Sequence, residues 1–250
     1  ALTSLTSGAN NLAVGYNALA MNTTGGHNLA IGDGVLQHCV DGGANIGIGA
    51  GALDDWDVGG GLSTTVDGSA HNLMIGVDAG GGAWTNVQSA YNVGIGNYVM
   101  DAAMAGATYN TAVGYSSLSA LTDGAQNVAV GSWTLGAATS GERNVAVGYN
   151  VMATMNGTES DNIGIGFRTM ELMDNDDSDE NVAIGNYAMS DITGQSVGKC
   201  VAIGHNALIG TSATSEDGTV AIGHSALTAL TSGEGNVAIG YQALDAEVTG

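Results

Sequence analysis

One nine-residue stretch, Asn236 to Leu244, returns in variant form thirteen times along the chain. Aligned on the glycine that follows the second large apolar residue, the copies fall at Gly15, Gly32, Gly49, Gly76, Gly96, Gly114, Gly131, Gly148, Gly166, Gly185, Gly204, Gly223 and Gly240. Their spacings run from 17 to 20 residues, apart from one of 27 between Gly49 and Gly76. A short constant core with a variable remainder is typical of a solenoid whose coils stack on one another. We therefore expect a single repeat array spanning residues 1–250.

The constant core itself predicts a β-strand. The residue four before each glycine is Asn in eleven copies, with Cys200 and Thr219 as the exceptions, and a large, a small and a large apolar residue follow it. This period of two gives one face of large apolar side chains and one face of Asn and small residues. We expect Val and Ile to fill the coil interior. The small face should leave room for a second chain, at Ala13, Ala30, Gly47, Gly94, Ala112 and their equivalents.

Stacking of the coils also places equivalent side chains above one another. The asparagines are therefore expected to form an amide ladder, comprising Asn11, Asn28, Asn45, Asn72, Asn92, Asn110, Asn127, Asn144, Asn162, Asn181 and Asn236. Leu or Met stands four residues after the glycine in twelve copies, from Leu19 to Leu244, and Gly80 is the one gap. Gly-rich turns such as Thr231 to Gly233 close the coils as surface loops. The fold class expected is an all-β parallel solenoid of about thirteen coils with one longer insert.

The charge of the chain limits the classes of partner that it is expected to bind, and the positions of its cysteines exclude a disulfide. The formal net charge is −21, and Arg143, Arg168 and Lys199 are the only basic side chains besides histidine. Nucleic acid and anionic lipid both require clustered Lys and Arg, so neither is an expected partner. No apolar window is long enough to span a membrane. Cys39 and Cys200 lie about nine coils apart, on the order of 40 Å, which excludes a disulfide between them.

The Asn-x-Ala-Ile/Val-Gly-x-x-Ala core resembles the repeat of the head domains of trimeric autotransporter adhesins. It also resembles repeats in fibre proteins of tailed bacteriophages, where Asn-Val-Ala-Ile-Gly-Tyr-x-Ala-Leu occurs with a Thr-Ser-Gly turn. The resemblance implies a left-handed parallel β-roll, a homotrimeric fibre, and an extracellular place on a virion or bacterial surface, where it binds a host or matrix receptor. The longer coils and the Leu/Met column favour the phage-fibre version.

On this basis we expect a structural or adhesive fibre segment and not an enzyme. Ala1 to Gly8 matches Ala226 to Gly233, and the chain stops at Gly250 in the same phase, so we expect a window of a longer array. Two enzyme alternatives stay open. A hexapeptide acyltransferase solenoid would need the hexapeptide pattern on all three sides of each coil, whereas one side matches here. A tailspike-like polysaccharide hydrolase would need two carboxylates across a groove.

The insert after Gly49 contains the first candidate binding site. Trp56 and Trp84 stand near Asp54, Asp55 and Asp57. An aromatic face beside carboxylates suits sugars, because the ring stacks on apolar sugar faces and the carboxylates accept hydroxyl hydrogen bonds. The alternative is that the tryptophans are structural plugs folded over the coil edges. We expect receptor recognition, with a glycan as one candidate ligand, on the loops between Gly49 and Gly96.

Two further patterns could hold metal ions. Asp174, Asp176, Ser178 and Glu180 place oxygen ligands at alternate positions, as a calcium loop does, and a solvated acidic turn is the alternative. Calcium is the cofactor that this acidic pattern would hold. His205 and His224 follow the glycine in adjacent coils, so their rings are expected to lie one strand spacing apart, either sharing a metal or simply stacking.

Overall fold

The computed structural model describes residues 1–54, 69–84, 87–173, 177–192, 197–209, 217–228 and 233–246. These residues form strands, turns and bends with no helix among them, and therefore no helix that could cross a membrane. Their strands are all parallel, which confirms the expected parallel β-solenoid. The chain forms two compact units, Ala1–Gln126 and Asn127–Gly250. The handedness of the coils and the number of chains in the fibre stay predictions.

Each described coil contributes one strand that begins directly after the Asn position. The first unit contains β1 (Leu12–Val14), β2 (Leu29–Ile31), β3 (Ile46–Ile48), β4 (Leu73–Ile75), β5 (Val93–Ile95) and β6 (Thr111–Val113). The second unit contains β7 (Val128–Val130), β8 (Val145–Tyr149), β9 (Ile163–Phe167), β10 (Val182–Ile184), β11 (Val201–Ile203), β12 (Val220–Ile222) and β13 (Val237–Ile239). Within each unit, neighbouring strands pair so that equivalent repeat positions face each other, as Ala183 faces Ala202.

The asparagines form a ladder through the interior of each unit. The Asn92 side-chain oxygen accepts hydrogen bonds from both the backbone N–H and the side-chain amide of Asn110, each at 3.0 Å. The Asn92 amide in turn donates to the carbonyl oxygen of Ala107 at 2.8 Å. Since Asn92 and Asn110 are fully buried, these bonds satisfy groups that would otherwise be costly to bury. Asn181 Oδ1 accepts the backbone N–H of Cys200, and Cys200 and Thr219 occupy the next two ladder positions. Asn236, expected in the ladder, is thus separated from it, and its side-chain amide has no hydrogen-bond partner among the described residues.

The aligned glycines directly follow the third strand residue of each coil, and those of β8 and β9 lie within the strand. Gly148 has φ +136, a conformation that side chains rarely adopt. A Cβ at Gly148 would also run into the carbonyl oxygen of Gly166 in the next coil. The same obstruction holds for the aligned glycines from Gly15 to Gly96 in the first unit and from Gly131 to Gly223 in the second. Conformation and close stacking together therefore demand glycine at this position.

The two faces of the strands are the reverse of our expectation. The second residue of each strand is buried in β2 to β13 and is Ala or Gly except for Met74 in β4, whereas the Val, Ile and Leu on either side are half-buried or exposed. Ala30, Gly47, Gly94 and Ala112 therefore face the coil interior, and Ala13, half-buried in β1, occupies the same position. The prediction that Val and Ile fill the interior was wrong.

Packing inside the coil explains the reversal. The Leu/Met column is fully buried from Leu19 to Leu227, and it lies against the strand centres. A Cβ at Gly164 would approach Val151 Cγ1 to 2.8 Å and Met152 Cε to 2.9 Å. The interior therefore has room for Ala or Gly at the strand centre, and a larger side chain there would overpack it.

A third buried column, seven or eight residues after the glycine, was missed from the sequence. Its described apolar members are Cys39, Trp84, Met104, Leu121, Ala138, Met155, Met173 and Ile192. These residues lie in segments that we expected to be surface loops, so these coils have a second interior wall. Burial raises the pKa of the Cys39 thiol to about 12, which keeps this thiol protonated and unreactive at neutral pH.

The coil of β4 departs from the pattern at two positions that compensate each other. Met74 replaces the small strand residue and Gly80 replaces the Leu of the second column. A Cβ at Gly80 would lie 3.1 Å from both Met74 Cγ and Leu53 Cδ2. The Met74 side chain thus occupies space that a Leu fills in other coils. Gly94 in the following strand leaves room for the Met74 sulfur.

This exchange of side-chain volume predicts that substitutions at Met74 and Gly80 are strongly coupled in their effect on the free energy of unfolding. Met74→Ala should lower the free energy of unfolding by about 2–5 kcal/mol, because it leaves a cavity. Gly80→Leu should also be destabilising, because it overpacks the same space. The double variant restores the regular coil and should lie closer to the wild type than the sum of the two single losses. Denaturant unfolding of the four proteins measures the coupling, and simple additivity would contradict this account.

Candidate functional site

The outward face of the strands is an apolar surface repeated in every coil. In the second unit Val128, Val130, Ile165 and Ile184 are each 37–38% exposed. The first unit presents Leu, Val and Ile at the same two positions of nearly every strand. All-parallel sheets usually have both faces covered, and contiguous exposed apolar patches of this kind commonly mark interaction sites. We call this surface the outward face.

A row of aromatic rings extends the outward face of the second unit. The seven rings are those of Trp133, Tyr149, Phe167, Tyr187, His205, His224 and Tyr241, with neighbouring centroids 5.1–6.0 Å apart. β8 and β9 extend far enough for Tyr149 and Phe167 to pair in the sheet, so these residues share the period of the Val and Ile positions. We call these seven residues the ring row.

The orientation of each ring follows from its place in the repeat. Tyr149 and Phe167 both stand directly after the glycine, and their planes lie 10° apart. Tyr187 stands one residue later, and its ring meets that of Phe167 at 73°. Asn186 directly precedes Tyr187, and its side-chain oxygen accepts a hydrogen bond from the backbone N–H of Phe167 at 3.1 Å. Where Asn stands directly after the glycine, the aromatic residue therefore stands one position later in the coil.

The same rule holds in the first unit. Asn97 Oδ1 accepts the Val77 N–H at 2.9 Å, and Tyr98, one position later, meets Tyr115 at 76°. Three of the six neighbouring contacts in the ring row are stacked and three are edge to face. In the stacked pairs each ring covers part of its neighbour's face, whereas sugar stacking needs an open ring face.

Charged side chains border the outward face of the second unit on both sides. Arg143 and Asp161 stand directly before the ladder asparagines of β8 and β9, and Arg143 donates two hydrogen bonds to Asp161, at 2.7 and 2.9 Å. These bonds hold the pKa of Asp161 below its usual range. On the opposite border, Arg168 lies 5.8 Å from the centre of the Phe167 ring and 3.2 Å from Glu171. Lys199 is exposed on the same border as Arg143.

Trp84, expected in an exposed sugar site, is 2% exposed and belongs to the third interior column. Its ring is therefore closed to a sugar in this structure, and its burial favours the alternative of a structural plug. Trp56, Asp55 and Asp57 lie outside the described residues. Asp54 is half-buried, and its carbonyl oxygen lies 2.7 Å from His38 Nδ1. The structure thus brings Asp54 to His38 of the neighbouring coil.

The candidate calcium residues are only partly described, since Asp174 and Asp176 lie outside the described residues. Ser178 is fully buried, and its hydroxyl oxygen accepts the backbone N–H of Val197 at 3.3 Å. This role inside the coil takes Ser178 out of a surface ligand set. Glu180 is exposed at the border of the outward face.

His205 and His224 stack with centroids 5.1 Å apart and planes 11° apart. Parallel rings direct their nitrogens side by side, whereas a shared metal needs lone pairs that converge. Within the part of the chain that the structure describes, no three His, Cys, Asp or Glu side chains come together as a metal site. The pair therefore serves the ring row by stacking.

A carboxylate pair not singled out from the sequence lies in the first unit. Burial and, second, the charge of Asp78 raise the pKa of Asp101 from 3.8 to about 6. Asp101 is half-buried beside Gly81, where a Cβ would lie 3.2 Å from its Oδ1. Such a carboxyl group is a proton donor near neutral pH, the property that a general acid requires.

Comparisons of the chain with protein-family models, with curated proteins and with solved structures found no match. A function for this chain therefore has to be inferred from the chemistry of its described surfaces.

The position of Trp84 predicts that its loss damages the fold. Trp84→Ala should lower the free energy of unfolding by about 3–5 kcal/mol, because it empties an interior position. Trp133→Ala is the matched control, since Trp133 is 42% exposed, and it should cost about 1 kcal/mol or less. Thermal unfolding compares the two variants. Equal losses would show that Trp84 is not an interior plug.

The raised pKa of Asp101 predicts that the variant Asp101→Asn is more stable than the wild type at neutral pH but not at acidic pH. The pKa of Asp101 is raised in the folded state, so its favourable contribution is complete below about pH 4 and is lost as the pH rises through about 6. Asp101→Asn stays neutral and should raise the unfolding midpoint at pH 7.5 while leaving it unchanged near pH 3.5. The exposed Asp123→Asn should show no such difference. An Asp101→Asn midpoint below the wild type at pH 7.5 would contradict the sign.

Proposed function

We propose that this protein is a structural and adhesive fibre segment whose chains associate through the outward face. The observation that carries the proposal is the repetition of half-buried or exposed Val, Ile and Leu at two positions of nearly every strand. A single buried core explains the small residues and the Leu/Met column, but it leaves these large apolar side chains unused. A second sheet of the same kind would cover them.

The proposed assembly is a homotrimer on a virion or bacterial surface, in keeping with the sequence resemblance. The regular coils supply length and stiffness, because each coil contacts its neighbours through the same ladder. The insert between Gly49 and Gly96 breaks the sequence period once, so its residues differ from those of the repeated coils. We place recognition of a host or surface ligand, with glycans as the first class to test, on this insert.

The polysaccharide hydrolase alternative has one observation in its favour, the Asp78 and Asp101 pair with its raised pKa. It makes a distinct prediction. Incubation with host surface glycans should release fragments, and Asp101→Asn should abolish the release. Fibre function predicts binding without fragments. Released product that disappears in this variant would overturn the fibre assignment in favour of the enzyme.

Self-association is tested by measuring mass in solution. The wild type should be a closed oligomer at micromolar concentration. Ile165→Asp places a charge on the outward face and should shift the protein toward monomer with unchanged circular dichroism. Thr158→Asp, exposed in a turn away from the strands, should leave the mass unchanged. A monomeric wild type at micromolar concentration would refute the proposal.

A further inference from the structure

Three exposed aromatic rings of the first unit lie directly above one another. They belong to His71, Tyr91 and Tyr109, each of which directly precedes a ladder asparagine. The rings of His71 and Tyr91 have centroids 4.9 Å apart and planes 5° apart. Those of Tyr91 and Tyr109 have centroids 5.0 Å apart and planes 1° apart. One ring therefore occupies each coil spacing along this row.

The same repeat position holds Ala44 and His27 in the two preceding coils. The backbone N–H of His71 donates to the carbonyl oxygen of Gly43 at 3.2 Å, and the N–H of Ala44 donates to that of Gly26 at 2.9 Å. His27, Ala44 and His71 share the left-handed conformation, with φ of 63, 55 and 60°. Their side chains therefore leave the coils in the same direction, and the methyl group of Ala44 lies between two imidazoles.

The alanine opens a slot in this row. Since neighbouring rings are 4.9–5.0 Å apart, the imidazoles of His27 and His71 stand two spacings apart, about 10 Å. Both histidines are exposed, and Ala44 is half-buried. Among the described residues outside its chain neighbours, a Cβ at Gly43 would meet only the carbonyl oxygen of Gly26 within 4 Å. The histidine slot, as we call it, thus has two ring faces as walls and small residues as its floor.

The width of the histidine slot indicates the shape of its ligand. Carbon atoms pack best at about 3.5–4.0 Å, so contact with both walls leaves roughly 2–3 Å for the thickness of the ligand itself. A flat aromatic ring lying midway and face to face is thinner than this and loses contact with both walls. A pyranose ring is puckered, and its C–H groups project from both faces, so it fills the width. Aromatic faces are suited to stacking on such apolar sugar faces.

Charge limits the class of sugar. Residues 1–126 contain several aspartates and no Arg or Lys. A carboxylate or sulfate on the sugar would therefore have no guanidinium or ammonium partner in this unit and would meet a negative field. Sugar hydroxyl groups, in contrast, exchange hydrogen bonds with imidazole nitrogens. A neutral pyranose is the class that fits both the width and the charge.

We propose that the histidine slot binds one neutral pyranose ring of a glycan, stacked between the imidazoles of His27 and His71. This assignment rests on the glycan recognition proposed above and names its contact residues. It extends the recognition surface from the insert, where His71 lies, to the two preceding coils. One sugar ring makes few contacts, so its dissociation constant should be on the order of 1–10 mM. An oligomer would strengthen binding to a polysaccharide by presenting several copies of the slot.

Histidine-selective isotope labelling tests the site directly. The chain has five histidines, so their imidazole signals in NMR spectra compare the slot with other places in the same protein. Titration with the methyl glycosides of glucose, galactose and mannose should shift the signals of His27 and His71 together, to saturation, for at least one sugar. The methyl glycoside of glucuronic acid should bind more weakly because it is charged. Three signals should stay unchanged, those of His38, His205 and His224.

The variant Ala44→Tyr fills the slot with a ring of the chain itself. Tyr91 and Tyr109 occupy the same repeat position with φ of 60 and 59°, so the fold should accept the substitution with unchanged circular dichroism. The added ring should shift the signals of His27 and His71 without any sugar, because both imidazoles would face it. It should also abolish their response to the glycosides.

Two further variants serve as controls. Ala50→Tyr makes the same substitution at an exposed position in the same coil, and Tyr16 and Tyr115 occupy that repeat position in other coils. It should leave both the histidine signals and the sugar response as in the wild type. His27→Ala removes one wall and should weaken sugar binding about fivefold.

The remaining outcomes separate the slot from the proposed function. A sugar response that survives Ala44→Tyr would place the sugar elsewhere and overturn the assignment, as would the lack of a response of His27 and His71 to all three neutral glycosides. Shifts caused by phenol but not by the glycosides would show that the slot takes a flat ring instead. Binding of host glycans without a response of these histidines would refute the slot and leave glycan recognition standing. A monomeric wild type that binds sugar in the slot would refute the proposed assembly alone.

Discussion

The buried asparagine ladder is the interaction on which the coil geometry depends. The strands are mostly three residues long, so strand pairing alone satisfies few backbone groups per coil. Each ladder asparagine accepts the next coil's backbone N–H and donates to a turn carbonyl, as Asn144 does with Asn162 and Glu159. The ladder thus carries the backbone pairing from the strand into the turn. Because an unpaired buried amide is costly, coils that keep this asparagine are held to one spacing and one register.

That spacing leaves a narrow interior, and the narrow interior decides which strand face turns inward. Period-two alternation shows that a strand has two faces, but it does not show which face is buried when both are uncharged. The sequence did contain a signal. Val occurs three residues after the repeat glycine in three coils, at Val35, Val99 and Val151, and glycine occurs at three strand centres, Gly47, Gly94 and Gly164. Each of these glycines lies against one of these valines. Such a size exchange identifies the small face as the inner one.

The repeat spacing was enough to predict the coils, the strand in each and the parallel stacking, because all three depend on local pattern. The third interior column could not be found the same way, since its members vary from Cys39 to Trp84 and their offset shifts between seven and eight residues. The positive φ angles of the coil could not be predicted from the sequence either. Leu19 and Met152 adopt φ near +50°, a region that costs such residues about 1 kcal/mol and that only the packing of the coil enforces. At the candidate site, residue identity alone did not separate Trp84, an interior side chain, from Trp133, an exposed one.

The repetition of the outward face has an energetic consequence for association. Fully burying a Val or Ile side chain is worth about 1.5–3 kcal/mol. Those of β7 to β12 are already more than half-buried, so each adds roughly 0.5–1 kcal/mol on contact. A single coil therefore falls well short of the cost of association, on the order of 4–15 kcal/mol. Several coils acting together exceed it. Association through this face would therefore require many coils acting together, which is the property that a repeat array provides.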